Sequence, residues 1–243
     1  MKSIFTTVGL AALAGLLAAP CAKAAIVVEP VVLDIDVPAV AGALTLRNND
    51  HADVSVQTRV FLWVQTNGQE SLTPATTVAA SPPIVTLVPG SNYTIRVVRT
   101  AGGPVNGEES YRVVVDELPD LRKGQANTVD ILIRQSIPVF FKAPKLTRAD
   151  VSWSYRIQNN EVEVFATNRG DDRLRVASLR LHDNFGKEIS FGDGLVGYVL
   201  GRSSMTFSTR LAATDFTVAD AVVLEAETSM GHVQALASLH APP

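Results

Sequence analysis

Apolar and polar residues alternate along most of this chain with a period of two, and that alternation predicts strands almost throughout. Runs of this kind occupy Ala43 to Arg47, Val54 to Val64, Tyr93 to Val98 and Tyr111 to Val115. Between them stand Asn48-Asn-Asp50, Asn67-Gly68, Pro89-Gly90 and Gly102-Gly-Pro104, which supply positive φ or a preset proline φ. A second series follows Pro144: Trp153 to Gln158, Val162 to Thr167, Leu174 to His182, Ser204 to Ser208, Ala221 to Ala226 and Val233 to Leu239. Asn159-Asn160 predicts a hairpin turn between the first two of these, and Asn168 to Asp172 a longer turn. Hardly any helix is expected, and Ala212 to Ala221 reads as loop. Length favours two domains of about 110 residues or one large β domain, and the two series of strands favour the former: an all-β fold of two sandwiches, the second smaller. Residues 142–148, stiffened by Pro144, are the expected linker.

Residues 127–144 form the longest expected strand, with Val129, Ile131 and Ile133 along one face. Pro138 cannot donate to a ladder, so an edge position is expected there. The unpaired N–H and C=O groups of an edge form a template that another chain extends.

At the N-terminus, Lys2, an uncharged run from Ile4 to Ala19 and Ala22-Lys-Ala24 make the pattern of a secretory signal, with cleavage expected after Ala24. The run is shorter than the roughly 20 residues a spanning helix needs. Loss of residues 1–24 from the 243 leaves 219 residues and no cysteine, since Cys21 leaves too. Neither a disulfide nor a thiolate metal site is then available. The net charge of −3 becomes −5 as Lys2 and Lys23 depart, so a nucleic-acid partner has no basic footprint to bind.

Motifs for catalysis are weak. Gly192-Asp-Gly194-Leu-Val-Gly197 matches a dinucleotide fingerprint as a string, but Tyr198 to Gly201 is a β-type run where that fingerprint needs a helix, so a turn is expected. His51, His182, His232 and His240 are scattered without metal-ligand spacing. Ser203-Ser204 lacks the glycines of a nucleophile elbow. Glu108-Glu109 and Asp116-Glu117 are close carboxylates that fit solvated or salt-bridged roles better than acid–base work. Neither an enzyme activity, a cofactor, a metal nor a small-molecule substrate is expected. Arg96, Arg112 and Arg134 stand out because each interrupts an apolar strand, where a guanidinium needs water or an anion. Each also fits a solvent face of an alternating strand. Paired across adjacent strands, Arg112 and Arg134 would hold a carboxylate between them.

Three segments carry a family resemblance: Ser81-Pro-Pro-Ile with Val88-Pro-Gly90, Ser110-Tyr-Arg-Val-Val-Val-Asp-Glu-Leu-Pro119, and Asn127 to Phe141. Together they resemble the PapD-like periplasmic chaperones of the chaperone–usher pilus pathway, and in particular the archaic class. The resemblance implies two immunoglobulin-like β-sandwich domains in a boomerang arrangement, here 25–143 and 144–243 after a signal peptide 1–24. It implies a periplasmic protein whose partners are pilus subunits and an outer-membrane usher. The implied mechanism is donor-strand complementation, in which the chaperone's seventh strand completes a subunit lacking its last strand. The donor side chains would be Val129, Ile131 and Ile133. Better-known members anchor the subunit's terminal carboxylate with a first-strand arginine and a lysine before the paired aromatics, but here those places read Glu29-Pro-Val-Val-Leu33 and Ser136-Ile-Pro-Val139. Arg112 and Arg134, with Arg96 third, are the expected replacements. Glu117 and Lys142 match positions that bridge the family's domains by an ion pair. The rival reading is a two-domain immunoglobulin-like surface or adhesive binding protein, since fold does not fix function.

Overall fold

The computed structural model describes residues 26–119, 131–211 and 216–240. The expected signal peptide, its cleavage site, Val129 and residues 212–215 of the expected Ala212–Ala221 loop lie outside the described residues. Among the described residues the chain is all-β, with eighteen strands and no helix.

Two sheets face each other in the first half. One has the order β1 (Ile26–Glu29), β3 (Ala41–Asn48), β8 (Asn92–Arg99), β6 (Val78–Ser81). The other runs β2 (Leu33–Asp36), β10 (Arg134–Lys142), β9 (Glu108–Glu117), β4 (Val54–Thr66), β5 (Gln69–Pro74), with β7 (Ile84–Leu87) pairing β4. Alternation buries one face of each: Leu44, Leu46, Ile95 and Val97 meet Val56, Val113, Val115, Val139 and Phe141 in one core. Tyr111 stands edge-on to Phe141, centroids 5.9 Å apart.

The second half has its own core of Trp153, Tyr155, Val162, Val164, Leu179, Leu181, Phe207 and Leu224 among others. Its strands follow the order β14 (Glu188–Ser190), β13 (Leu174–His182), β17 (Ala221–Thr228), β18 (Gly231–Leu239), β11 (Val151–Gln158), β12 (Glu161–Asn168), β16 (Ser204–Arg210), and β15 (Leu195–Val199) pairs β13. The β11–β12 hairpin turns at Asn159-Asn160, both with positive φ (51° and 62°), the conformation its two-residue loop requires. Gly192 and Gly194, with φ of 115° and 99°, turn the chain between β14 and β15, so the dinucleotide-like string opens a strand.

Ala143 N–H still donates to Gly107 C=O of the first half at 2.9 Å, whereas from Thr147 onwards the linker is bound to the second half. Thr147 donates from its N–H to Asp171 Oδ2 at 3.1 Å and accepts from the N–H groups of Asp171 and Asp172 at 3.1 and 3.0 Å. Gly170 lies so close that a Cβ there would come within 1.9 Å of the Arg148 carbonyl oxygen. Backbone cannot yield as a side-chain tip does. Gly170→Ala is therefore expected to cost about 1–3 kcal/mol of stability, read from urea unfolding, whereas Gly102→Ala, in open space, is expected to cost far less.

Candidate functional site: an open strand edge and a cleft arginine

Strand β10 is shorter than the sequence pattern predicts, beginning at Arg134, with Ile131, Leu132 and Ile133 preceding it outside any strand. On one side it pairs β9 along its whole length, from Arg134 opposite Asp116 to Lys142 opposite Glu108. On the other side β2 pairs it, in parallel, only over Val139 to Lys142. Glu117 N–H donates to Ile133 C=O, and Val37 N–H donates to Lys142 C=O. By strand alternation, odd-numbered backbone groups of β10 therefore point to β9 and even-numbered ones away from it. Among the described residues, Arg134 and Ser136 thus present their N–H and C=O to an open edge. The absent N–H of Pro138 falls on that side too, just where β2 takes over, so Pro138 marks the end of an edge rather than lying on a strand that is an edge throughout.

Leading into this edge, Ile131 is 82% exposed and Leu132 47%. Apolar side chains held in water beside unpaired backbone are costly alone and favour a covering chain. Ile133 is half-buried, its N–H 3.4 Å from Glu117 Oε2.

The face of this sheet turned from the core bears Arg59, Phe61 and Trp63 on β4, Arg112, Val114 and Asp116 on β9, and Arg134, Ser136, Pro138 and Phe140 on β10. At its inner end Trp63 and Phe140 pack with Tyr198 and Leu200 of the second half, forming a small core between the two. Trp63 meets Tyr198 edge-on at 5.6 Å and Phe140 at 5.9 Å. Gln65, itself buried, donates to Tyr198 C=O and accepts from Leu200 N–H, both at 2.8 Å. Gly68 adds a bridge to β16, accepting from Thr206 N–H at 2.9 Å.

Arg112 and Arg134 share this face but do not meet. Arg112 lies opposite Pro138, four positions from the Arg134–Asp116 pair, which is about 14 Å along a strand. The expected two-arginine clamp is therefore not formed. Arg134 and Arg59 instead enclose Asp116, the latter at 2.6 Å. Burial pushes the Asp116 carboxyl up, but the hydrogen bonds from Arg134 and Arg59 outweigh it and hold the group below its usual range. These residues line a crevice of about 400 Å³ with Gln57, Glu117, Leu132 and Ile133. Arg112 has no ion pair among the described residues: its guanidinium stacks 3.8 Å from the Trp63 ring centre and 5.9 Å from that of Tyr198. Burial lowers its pKa, opposed by the field of Glu70. Arg96 is exposed on the outer face of the opposite sheet, between Ala43 and Ser81, and takes no part in the cleft.

Glu117 and Lys142 stand at opposite ends of the β9–β10 ladder and form no pair. Lys142 reaches Asp34 at 3.3 Å. The charges that join the halves are those of Arg173, Glu108 and Asp34: Arg173 pairs with Glu108 and with Asp34, the latter at 2.7 Å, and covers the Phe140 ring at 3.5 Å. Burial raises the Glu108 carboxyl to about 7, against the lowering by Arg173. Arg173 is shared with Asp34, and Glu108 Oε1 meets no donor, so burial prevails. Sequence reasoning missed Trp63, Tyr198, Asp34 and Arg173. For Arg173, in a turn after Asp171-Asp172, no local signal marks the role.

Among the described residues no group of three His, Cys, Asp or Glu side chains is placed to hold a metal ion.

Comparison with known proteins agrees with this geometry. No curated protein matches the chain at a significant level. Among solved structures, a chain of the CsuC-CsuE chaperone–tip adhesion subunit pre-assembly complex, from the archaic chaperone–usher Csu pili of Acinetobacter baumannii, is 25% identical. That match covers 89% of this chain and 98% of that one with a TM-score of 0.66. The Pseudomonas aeruginosa CupB2 chaperone, 17% identical over 88% of this chain and 100% of its own with a TM-score of 0.56, shares the fold. So does a chain of the Salmonella enterica SafA pilin–SafB chaperone complex, 16% identical over 88% and 96% with a TM-score of 0.57. Residues 25–147 match the description "Pili and flagellar-assembly chaperone, PapD N-terminal domain". With that match spanning more than half its length, the chain belongs to the PapD family of pilus and flagellar-assembly chaperones, and its two halves are that family's two immunoglobulin-like domains.

Proposed function

We propose that this protein is a periplasmic chaperone that captures pilus subunits by donor-strand complementation and passes them to an outer-membrane usher. The observation that carries the reading is the open edge of β10 at Arg134 to Pro138, entered from the exposed Ile131. A subunit lacking a strand would pair with that edge and receive Ile131 and Ile133, with Val129 before them, in its groove. Each aliphatic side chain fully buried contributes about 1.5–3 kcal/mol, enough to keep a subunit folded until another strand replaces this one. The CsuC-CsuE complex, a chaperone with a tip adhesion subunit, supports that partner class. The leader-like residues 1–24 and the family's chemistry support the periplasmic setting, and a strand-lending chaperone breaks no covalent bond.

The subunit's terminal carboxylate is assigned to Arg112, whose guanidinium sits over Trp63 without an ion-pair partner among the described residues. Arg134 is already committed to Asp116. Co-expression with the exported small β proteins of neighbouring genes, followed by co-purification from periplasm, tests the reading. Arg112→Ala is expected to weaken capture by about 1.5–3 kcal/mol, the loss of a charge-assisted hydrogen bond, and Arg134→Ala by less. Equal losses, or a larger one at Arg134, would reassign the anchor. Failure to retain any such subunit would return the protein to an adhesive role.

A further inference from the structure

Arginines that receive carboxylates are commonly fixed by a second acid, which competes with the ligand for the same donors. Arg112 is fixed otherwise. The centre of its guanidinium sits over the Trp63 ring, 3.8 Å from the ring centre, and the indole is itself oriented by Nε1 donating to Glu70 Oε2 at 2.9 Å. Tyr198, from the other domain, stands edge-on to Trp63 at 5.6 Å and faces Arg112 at 5.9 Å. Stacking restrains the plane of a guanidinium and leaves its in-plane N–H groups free. Tyr198 is in turn held by Gln65, which pins the backbone on both sides of Val199. The stack therefore has one wall on each domain.

We propose that Tyr198 is a positioning residue for carboxylate capture: with Trp63 it holds Arg112 in its receiving pose only while the two domains are docked. The proposal rests on the assignment of Arg112 as the anchor. Its consequence is reciprocal, because a carboxylate that favours the docked arrangement also stabilises the domain junction.

The test is capture of the subunit retained in the co-expression assay, in two forms: its natural free C-terminus, and the same subunit with three glycines added to displace the carboxylate. Tyr198→Leu is expected to lower capture of the free-terminus form roughly tenfold, the effect of losing one desolvated aromatic contact to a cation. It is expected to leave the extended form unchanged, because that form no longer uses Arg112. Tyr198→Phe keeps the ring and is expected to behave as wild type. A Tyr198→Leu protein that captures both forms as wild type does, or loses both equally, would overturn the positioning role, the second outcome marking a purely structural one. Arg112→Ala is the control on the underlying assignment. If it fails to distinguish the two forms, the anchor itself is misassigned, whereas discrimination by Arg112→Ala without discrimination by Tyr198→Leu rejects Tyr198 alone. Emission from Trp63 in a Trp153→Phe background adds an independent readout, expected to change when the free-terminus form binds and not when the extended form binds.

Discussion

Arg173→Ala is expected to destabilise the protein by about 2–2.5 kcal/mol at pH 8, because it removes the cation beside a carboxylate with no exposed side-chain surface, which then keeps its proton instead of ionising. The loss depends on pH, with a sign that follows from Glu108. In the folded protein this carboxyl titrates near 7, above its ordinary 4.5, so the folded state keeps a proton that the unfolded chain releases. Its contribution to stability is complete below about pH 4.5 and declines as pH rises towards 7, by about 3 kcal/mol in all. Arg173 opposes that rise, as Lys142, opposite Glu108 in the ladder, does more weakly, while Asp172 adds to it. Without Arg173 the carboxyl moves higher still and the decline continues above pH 7. At pH 5 Glu108 is protonated in the folded variant, and only the contacts to Asp34 and the Phe140 ring are lost, about 1 kcal/mol. Urea unfolding at pH 5 and pH 8 measures the difference, and Glu108→Gln combined with Arg173→Ala is expected to flatten it. A loss equal at both pH values would mean that Glu108 is not the buried charge responsible.

Ile131→Asp is expected to abolish subunit capture, by at least about a hundredfold, while leaving the chaperone folded. The first half follows from placing an unpaired charge where an aliphatic side chain is to be buried in the subunit's groove, which forfeits roughly 1.5–3 kcal/mol of burial and adds desolvation. The second half follows from the 82% exposure of Ile131, at which a carboxylate remains in water. Ile137→Asp is the contrast: at 4% exposure, in the core row shared with Val139 and Phe141, it is expected to unfold the first domain. Circular dichroism and periplasmic pull-down report the two effects separately. A folded Ile131→Asp protein that still captures its subunit would remove this segment from the donor role.

The class of fold was legible in the chain alone because its causes are local. Period-two alternation places Leu44 and Leu46, or Val113 and Val115, on one face whatever they later meet, and Asn159-Asn160 carries the backbone preference of its turn within two residues. The resemblance in Ser110 to Pro119 and Asn127 to Phe141 likewise pointed to strands that the structure pairs as β9 and β10. The site was legible only as an inventory of residue types. Alternation tells that Arg112 and Arg134 each leave the core, and not that the antiparallel register sets them four positions apart, or that Asp116 lies between Arg59 and Arg134. The same register sends Glu117 and Lys142 to opposite ends of one ladder. Contacts between domains were the least legible of all. Trp63 and Tyr198, or Glu108 and Arg173, are far apart in sequence and adjacent only because two separately folded sandwiches dock, and only burial made there turns a strand-end glutamate into a group that titrates near neutrality.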